Sequence, residues 1–235
     1  MAHTSAHERA RTRGVNRFVY WIVRTPFQLF FHFYLRMSRV GREHIPRQGP
    51  VILAANHRSF FDPFIIGTMT RRPMYYVAKR ELFEIHPLVS WILSRLGAFP
   101  VDRGRGDQDM VRTAKELLAR GEIVLIFPEG HRIRSGAPAK PRRGVGRLAL
   151  ETGAPVIPVA IFGTDRVRRG LLLRPFKARV RAGRALRLPK VESPTPRLAT
   201  TVTERVWACV VLQWASLGGV VEEEFAAGSE LARAA

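Results

Sequence analysis

Hydrophobic and polar positions change rhythm several times along the chain. Residues 18–35 are crowded with aromatic and aliphatic side chains but are interrupted by Arg24, Pro26, Gln28 and His32, with Arg17 and Arg36 at the edges. An arginine at mid-span costs roughly 2.5 to 3.5 kcal/mol on insertion scales, and proline divides the run. The pattern therefore predicts two short interfacial helices rather than one that crosses a bilayer. Their aromatics, Phe18, Trp21, Phe27 and Phe33 among them, are expected at headgroup depth, with Arg13, Arg17, Arg24, Arg36 and Arg39 toward lipid phosphate. A helical hairpin packed on a core is the alternative for the same residues.

From Gly49 onward short apolar runs alternate with longer helical periodicities, the pattern of a layered α/β domain. Strands are expected at 51–55, 74–78, 99–101, 123–127 and 156–162. Helices are expected at 59–70, 81–96 with a break near Pro87, 107–120 and 144–152. Further strands are expected within 178–188, and a helix at 201–217 after a loop at 193–196. Proline cannot donate to a ladder, so Pro158 places the strand 156–162 at a sheet edge or at a kink. No linker divides the middle of the chain. The organisation read from this is an N-terminal basic and aromatic membrane-association segment (1–40), one catalytic domain (41–220) and a frayed C-terminal tail (221–235).

Composition adds one strong feature, a formal charge of +20 from 39 basic and 19 acidic residues, with arginine far outnumbering lysine. Such a field favours anionic partners: an acidic membrane face, a phosphorylated substrate or nucleic acid. The basic residues are dispersed through an α/β pattern without a nucleic-acid motif, which disfavours the last. The single cysteine, Cys209, excludes an intramolecular disulfide and reads as a small apolar residue on a helix face. The polar start of the chain carries no secretory signature, so the domain is expected on the cytoplasmic face of the cell membrane, peripheral or monotopic.

The candidate chemistry sits where strands end. After the run 51–55 comes Asn56-His57-Arg58-Ser59-Phe60-Phe61-Asp62. In α/β sheets, ligands gather at the carboxyl ends of strands, and a tight loop can bring the Asp62 carboxylate back to one imidazole nitrogen of His57. That pairing frees the other nitrogen to take a proton from a hydroxyl, a contribution of roughly 10² to 10⁴ in rate. Ser59 reads as the N-cap of the following helix. After the run 123–126 comes Phe127-Pro128-Glu129-Gly130-His131-Arg132, a tight turn that projects Glu129 and Arg132. Between them the run 97–103 ends in Arg103, whose fork suits bidentate binding of a phosphate. There is no zinc-type Cys/His set, phosphate loop or Gly-x-Ser-x-Gly elbow.

Taken in order, these runs resemble the motifs of the 1-acylglycerol-3-phosphate acyltransferases and the wider glycerolipid acyltransferase group. Residues 56–62 resemble the first motif, 97–103 the second, 127–132 the third, and Val156-Ile157-Pro158-Val159 the fourth. The resemblance implies an αβα fold with a mixed sheet, no metal, no bound cofactor and no covalent acyl-enzyme. It implies acyl-CoA or acyl-carrier protein as co-substrate, and a lysophospholipid acceptor whose sn-2 hydroxyl is acylated to give phosphatidic acid. His57 and Asp62 would be catalytic. Arg103 would hold the acceptor phosphate, Glu129, Gly130 and Arg132 would complete that site, and Val156, Ile157, Pro158 and Val159 would form an acyl-side wall. The N-terminal segment resembles the two-helix membrane motif of bacterial members. One position departs: His131 stands where the group usually has threonine or serine, which leaves other acceptors open, such as glycerol 3-phosphate, another lysophospholipid or a glycolipid.

Overall fold

Apolar residues in the central strands alternate between two cores, and that alternation defines the layers. In the computed structural model, which describes residues 7–8, 10–12, 14–101, 108–169 and 172–220, the strand β2 (Val51–Ala55) is buried at every position. Val51, Leu53 and Ala55 join one core, whereas Ile52 and Ala54 join the other. A strand covered on both faces reads as a continuous apolar run, as this one does.

The main sheet has seven strands. In chain order they are β1 (Ser38–Val40), β2, β3 (Met74–Lys79), β4 (Ala98–Val101), β5 (Ile123–Ile126), β6 (Val156–Phe162) and β9 (Arg179–Ala182); β7 (Arg168–Arg169) and β8 (Leu172–Leu173) make a separate small ribbon. Across the sheet the order is β1-β9-β6-β2-β5-β3-β4. Only β6 and β9 pair antiparallel, so the sheet is mixed. The helices α1 (Arg17–Phe33), α2 (Asp62–Gly67) and α3 (Pro87–Arg95) contribute to the first core. The helices α4 (Gln108–Ala119), α5 (Gly144–Thr152) and α6 (Pro196–Ser216) contribute to the second core, with Ala10 from the N-terminal stretch. The result is the expected αβα layering.

Four expectations need correction. The first is Pro158, which does not mark an edge, because β6 lies between β9 and β2. Ile52 donates to the Pro155 carbonyl, so by alternation the amides of Ile157 and Val159 face β2 and the proline nitrogen faces away. On that side residues 183–185 leave the ladder between the Val159↔Ala182 pair and the Val156↔Leu186 bridge, so no donor is required. The proline on an edge is Pro100 of β4, whose register turns its nitrogen outward.

Pro26 likewise does not split the N-terminal run: α1 is one helix with proline inside it. Packing holds both halves to the same core, through Tyr20 and Arg24 before the proline and Phe27 and Phe31 after it, with the Phe27 ring stacked 5.1 Å from that of Phe64, so Arg24 and Phe27 turn inward rather than toward the lipid expected from the sequence. At 17 residues the helix is about 25 Å long. No helix among the described residues is long and apolar enough to cross a membrane. The N-terminal segment also supplies β1, which pairs with β9 in the main sheet.

The helix after β2 begins at Asp62 rather than residue 59, and Ser59 is not its cap. The Asp62 carboxylate takes up the amides of Arg58 and Ser59 and keeps that stretch a loop. At the other end of the chain, α6 starts five residues before its expected onset, because Thr195 caps the amide of Leu198 and Pro196 occupies the first turn. The break at Pro87 is found as expected, with a 3₁₀ turn at Arg80–Phe83 before α3. Cys209 is half-buried on α6. Residues 221–235, expected as a frayed tail, lie outside the described residues.

Candidate active site

Two loops carry the polar residues, and both leave neighbouring parallel strands. β2 and β5 pair from Val51↔Ile123 to Ala54↔Ile126, so residues 56–61 and 127–137 start side by side at the carboxyl edge of the sheet. Asn56 anchors the first loop: its side chain donates to the Ile161 carbonyl at 2.9 Å and accepts from the Ile161 amide at 2.8 Å, extending the ladder to β6 by one residue.

His57 and Asp62 meet as the sequence predicts. Nδ1 of His57 lies 2.8 Å from Oδ2 of Asp62, whose carboxylate is fully buried. The same oxygen accepts from the amides of Arg58 at 2.5 Å and Ser59 at 2.7 Å, and Oδ1 accepts from the Thr164 hydroxyl at 2.7 Å. An acceptor-only carboxylate in this position requires the proton on Nδ1, which leaves Nε2 as the acceptor. The imidazole ring stacks on Phe127, centroids 4.0 Å apart, which fixes the plane of the ring, while the bond to Asp62 sets its tautomer.

Glu129 turns inward rather than toward an open site. It is 1% exposed, with Oε2 accepting from the His57 amide at 2.5 Å and Oε1 from the Ala139 amide at 2.9 Å. Burial pushes its carboxyl up to about 7, against the pull of those two amides and of Arg58. Gly130 has a positive φ of 75° and lies under the Arg142 side chain, where a Cβ would come 2.9 Å from Nε. Arg142 in turn donates its amide to the Pro128 carbonyl at 2.8 Å. Arg132 and His131 are both exposed.

Beside His57 opens a cleft. Its walls are apolar, formed by Tyr76 and Ala78 of β3, Phe64 of α2, Leu82, and Leu93 of α3, with Phe60 at the rim; Arg132 and Lys79, the latter ion-paired with Glu81 at 2.7 Å, bring cations to the same cleft. The fourth-motif residues Val156, Ile157, Pro158 and Val159 do not line it. They are buried in the central strand β6, with Val156 in one core and Ile157 and Val159 in the other, and β3, α2 and α3 supply the apolar wall instead. Arg103 lies outside the described residues. Sequence reasoning missed Lys79, although it ends β3 as the other candidates end their strands. It also missed Thr164 and the Phe127 stack, for which the sequence carries no local signal.

Fold and site together define a class: an αβα domain with a mixed sheet that holds a histidine–aspartate pair at its carboxyl edge, next to an apolar cleft with cations in it. The acyltransferase family model matches residues 36–162, just over half of the chain, and the chain belongs to that family. Its relatives include the 1-acyl-sn-glycerol-3-phosphate acyltransferase of Pseudomonas aeruginosa, 34% identical over 147 residues, which are 61% of this chain and 54% of that protein. A chloroplastic enzyme of the same description from Arabidopsis thaliana is 27% identical over 64% of this chain and 43% of its own length. A lyso-ornithine lipid O-acyltransferase of Pseudomonas aeruginosa is 37% identical over 49% of this chain and 44% of its own. The chain thus spans about half the length of the curated relatives it matches. Among solved structures, the 1-acyl-sn-glycerophosphate acyltransferase of Thermotoga maritima superposes with a TM-score of 0.68 at 25% identity, covering 92% of this chain and 84% of that one.

Proposed function

We propose that the protein moves a fatty acyl group from a thioester carrier, acyl-CoA or acyl-carrier protein, to the sn-2 hydroxyl of 1-acyl-sn-glycerol 3-phosphate, yielding phosphatidic acid. The observation that carries this reading is the His57–Asp62 pair opening onto a cleft that is apolar along its walls and cationic at Lys79 and Arg132. An acyl chain suits the walls and a phosphate suits the cations.

In this mechanism the acceptor hydroxyl gives its proton to Nε2 of His57 as its oxygen attacks the thioester carbonyl. Asp62 stabilises the imidazolium that forms, and it is already held by three other donors, so it need not move. Collapse of the tetrahedral oxyanion breaks the carbon–sulfur bond, and the departing thiolate takes the proton back from His57. Lys79 and Arg132, with Arg103, hold the acceptor phosphate. Glu129 acts here by fixing the backbone of His57, and Gly130 by allowing Arg142 to pack over the turn.

The same reading places the protein on the cytoplasmic face of an anionic membrane. Tyr20, Arg24 and Phe31 face the core from α1, while Phe18, Ile22, Leu29 and Phe33 form an exposed apolar ridge on its opposite side. Phe60, another large apolar residue left exposed, lies at the cleft rim, and Ile85, Leu88 and Trp91 are exposed between the cleft residues Leu82 and Leu93 in the chain. Surface apolar area concentrated in this way marks a contact site.

The deciding experiment is thiol release from a palmitoyl or oleoyl thioester against 1-acyl-sn-glycerol 3-phosphate, glycerol 3-phosphate and lyso-ornithine lipid, with mass spectrometry of the product. Release that depends on the first acceptor and yields phosphatidic acid is expected. Release only with another acceptor would move the chain to that specificity, and release with none would sink the reading.

A further inference from the structure

The loop that carries Arg132 has no regular structure, and residues 131, 132 and 134–136 are exposed. What holds it comes from the neighbouring loop. The Ile133 amide donates to the His57 carbonyl at 2.8 Å. Arg58, 4% exposed, sends one guanidinium nitrogen to the Ile133 carbonyl at 3.2 Å and the other to the Gly136 carbonyl at 2.6 Å. Behind it the guanidinium lies over the Trp214 ring, 4.9 Å from the centroid. Asp62, Glu129 and Asp165 surround it electrostatically and oppose the loss of charge that burial favours.

We propose that Arg58 is a positioning residue that sets acceptor affinity by clamping residues 133–136 to the catalytic loop, so that Arg132 is presented to the cleft in one place. Ile133 follows Arg132 directly, so restraint at 133 and 136 limits the backbone that aims the Arg132 side chain. A planar fork backed by an aromatic ring holds its two donors at a fixed spacing and stacks on the ring, whereas a lysine ammonium is a compact point charge that does neither. This inference rests on the acyl-transfer reading, and it assigns Arg58 no contact with substrate.

The test uses the full chain with Arg58→Lys, alone and combined with Arg132→Ala, and two kinds of readout. In the thiol-release assay, Arg58→Lys is expected to raise the KM for 1-acyl-sn-glycerol 3-phosphate about tenfold while the donor KM changes less than about twofold. In the Arg132→Ala background the same substitution should add less than about twofold, because it acts through Arg132. Independently of activity, hydrogen exchange at the Ile133 amide should quicken by about tenfold or more. Equal losses for donor and acceptor, or a full tenfold effect on top of Arg132→Ala, would overturn the proposal. Unchanged exchange at Ile133 would overturn it too. If the unsubstituted chain releases no thiol, the acyl-transfer reading fails by itself, and the exchange measurement still decides whether Arg58 holds the loop. Should Arg58→Lys not fold, Trp214→Phe, which trims the ring behind the guanidinium, is expected to give the same changes at smaller size, and their absence would count against the clamp.

Discussion

The loop that leaves β2 and the loop that leaves β5 begin side by side, yet they are held in different ways. In the first, Asn56, His57 and Arg58 are all buried and the Asp62 carboxylate has four donors. The second is buried only as far as Glu129, and beyond Gly130 it runs over the surface, tied down by Arg58 and by the His57 carbonyl. A base that must meet its proton within hydrogen-bond reach needs the rigid frame, whereas a loop that recognises a headgroup can be exposed if its neighbour fixes it. On the proposed function, chemistry and recognition are divided between the two loops, and the division can be broken by substitution.

The largest effect should fall on the buried loop. His57→Ala removes the proposed base, and turnover in the thiol-release assay should drop by roughly 10² to 10⁴ with the fold intact by circular dichroism. Near-normal turnover in folded protein would mean that the first loop is structural and the comparison has no catalytic content.

Glu129 crosses the comparison, since it is rooted in the second loop and bonded into the first. Its carboxyl is raised from 4.5 to about 7 in the folded protein, mainly by burial. The folded state therefore binds this proton more tightly than the unfolded chain. Its contribution is complete below the unfolded value near 4.5 and is lost as pH rises through about 7. At 1.36 kcal/mol per unit the swing is on the order of 3 kcal/mol. Glu129→Gln, which cannot ionise, should lose this slope, so melting curves of the two proteins from pH 5 to pH 8 (about that range) are expected to diverge. Parallel curves would show that the carboxyl is not buried between the loops as described.

A smaller and more selective change is expected at the exposed end. Arg132→Ala should raise the acceptor KM by about ten- to a hundredfold and leave the donor KM nearly unchanged, as for a residue that holds one substrate only. An equal rise in both would mean that the second loop shapes the whole cleft, and recognition could no longer be separated from chemistry.

Much of this arrangement is legible in the sequence, for reasons that can be named. Central strands buried on both faces read as apolar runs, and the strands Val51–Ala55 and Val156–Phe162, like the amphipathic helix Gly144–Thr152, have the bounds their patterns predict. The His57–Asp62 contact is local, so a tight loop can be read as closing it, and the order of the other motifs gives that reading its weight. What spacing cannot show is contact between distant residues. Thr164 reaches Asp62 across 102 positions, Glu129 reaches His57 across 72, and Arg58 reaches Gly136 across 78. Helix boundaries failed for a related reason: the Asp62 carboxylate holds the amides of residues 58 and 59 in a loop, and α1 runs through Pro26 because the core packs both its halves. The inward turn of Glu129 belongs to the same group, since a carboxylate in a tight turn reads as a surface group until its partners are known.

Gly130 marks the point where the second loop passes from buried to exposed, and it gives the smallest expected effect. Its φ of 75° is a conformation that an L side chain adopts at a cost of about 1 kcal/mol, and the Cβ of alanine would press on the Arg142 guanidinium. Arg142 is a long side chain and can swing aside, so Gly130→Ala should lower stability by only about 1 kcal/mol rather than unfold the protein. Because the turn precedes Arg132, its acceptor KM should rise modestly while turnover at saturating acceptor is kept, since Glu129 still holds the His57 amide. Measured together, denaturant midpoint and acceptor KM separate two outcomes. A loss of turnover equal to the loss in acceptor affinity would mean that the turn transmits strain into the buried loop. A change confined to the acceptor would place the boundary between catalysis and recognition at Gly130.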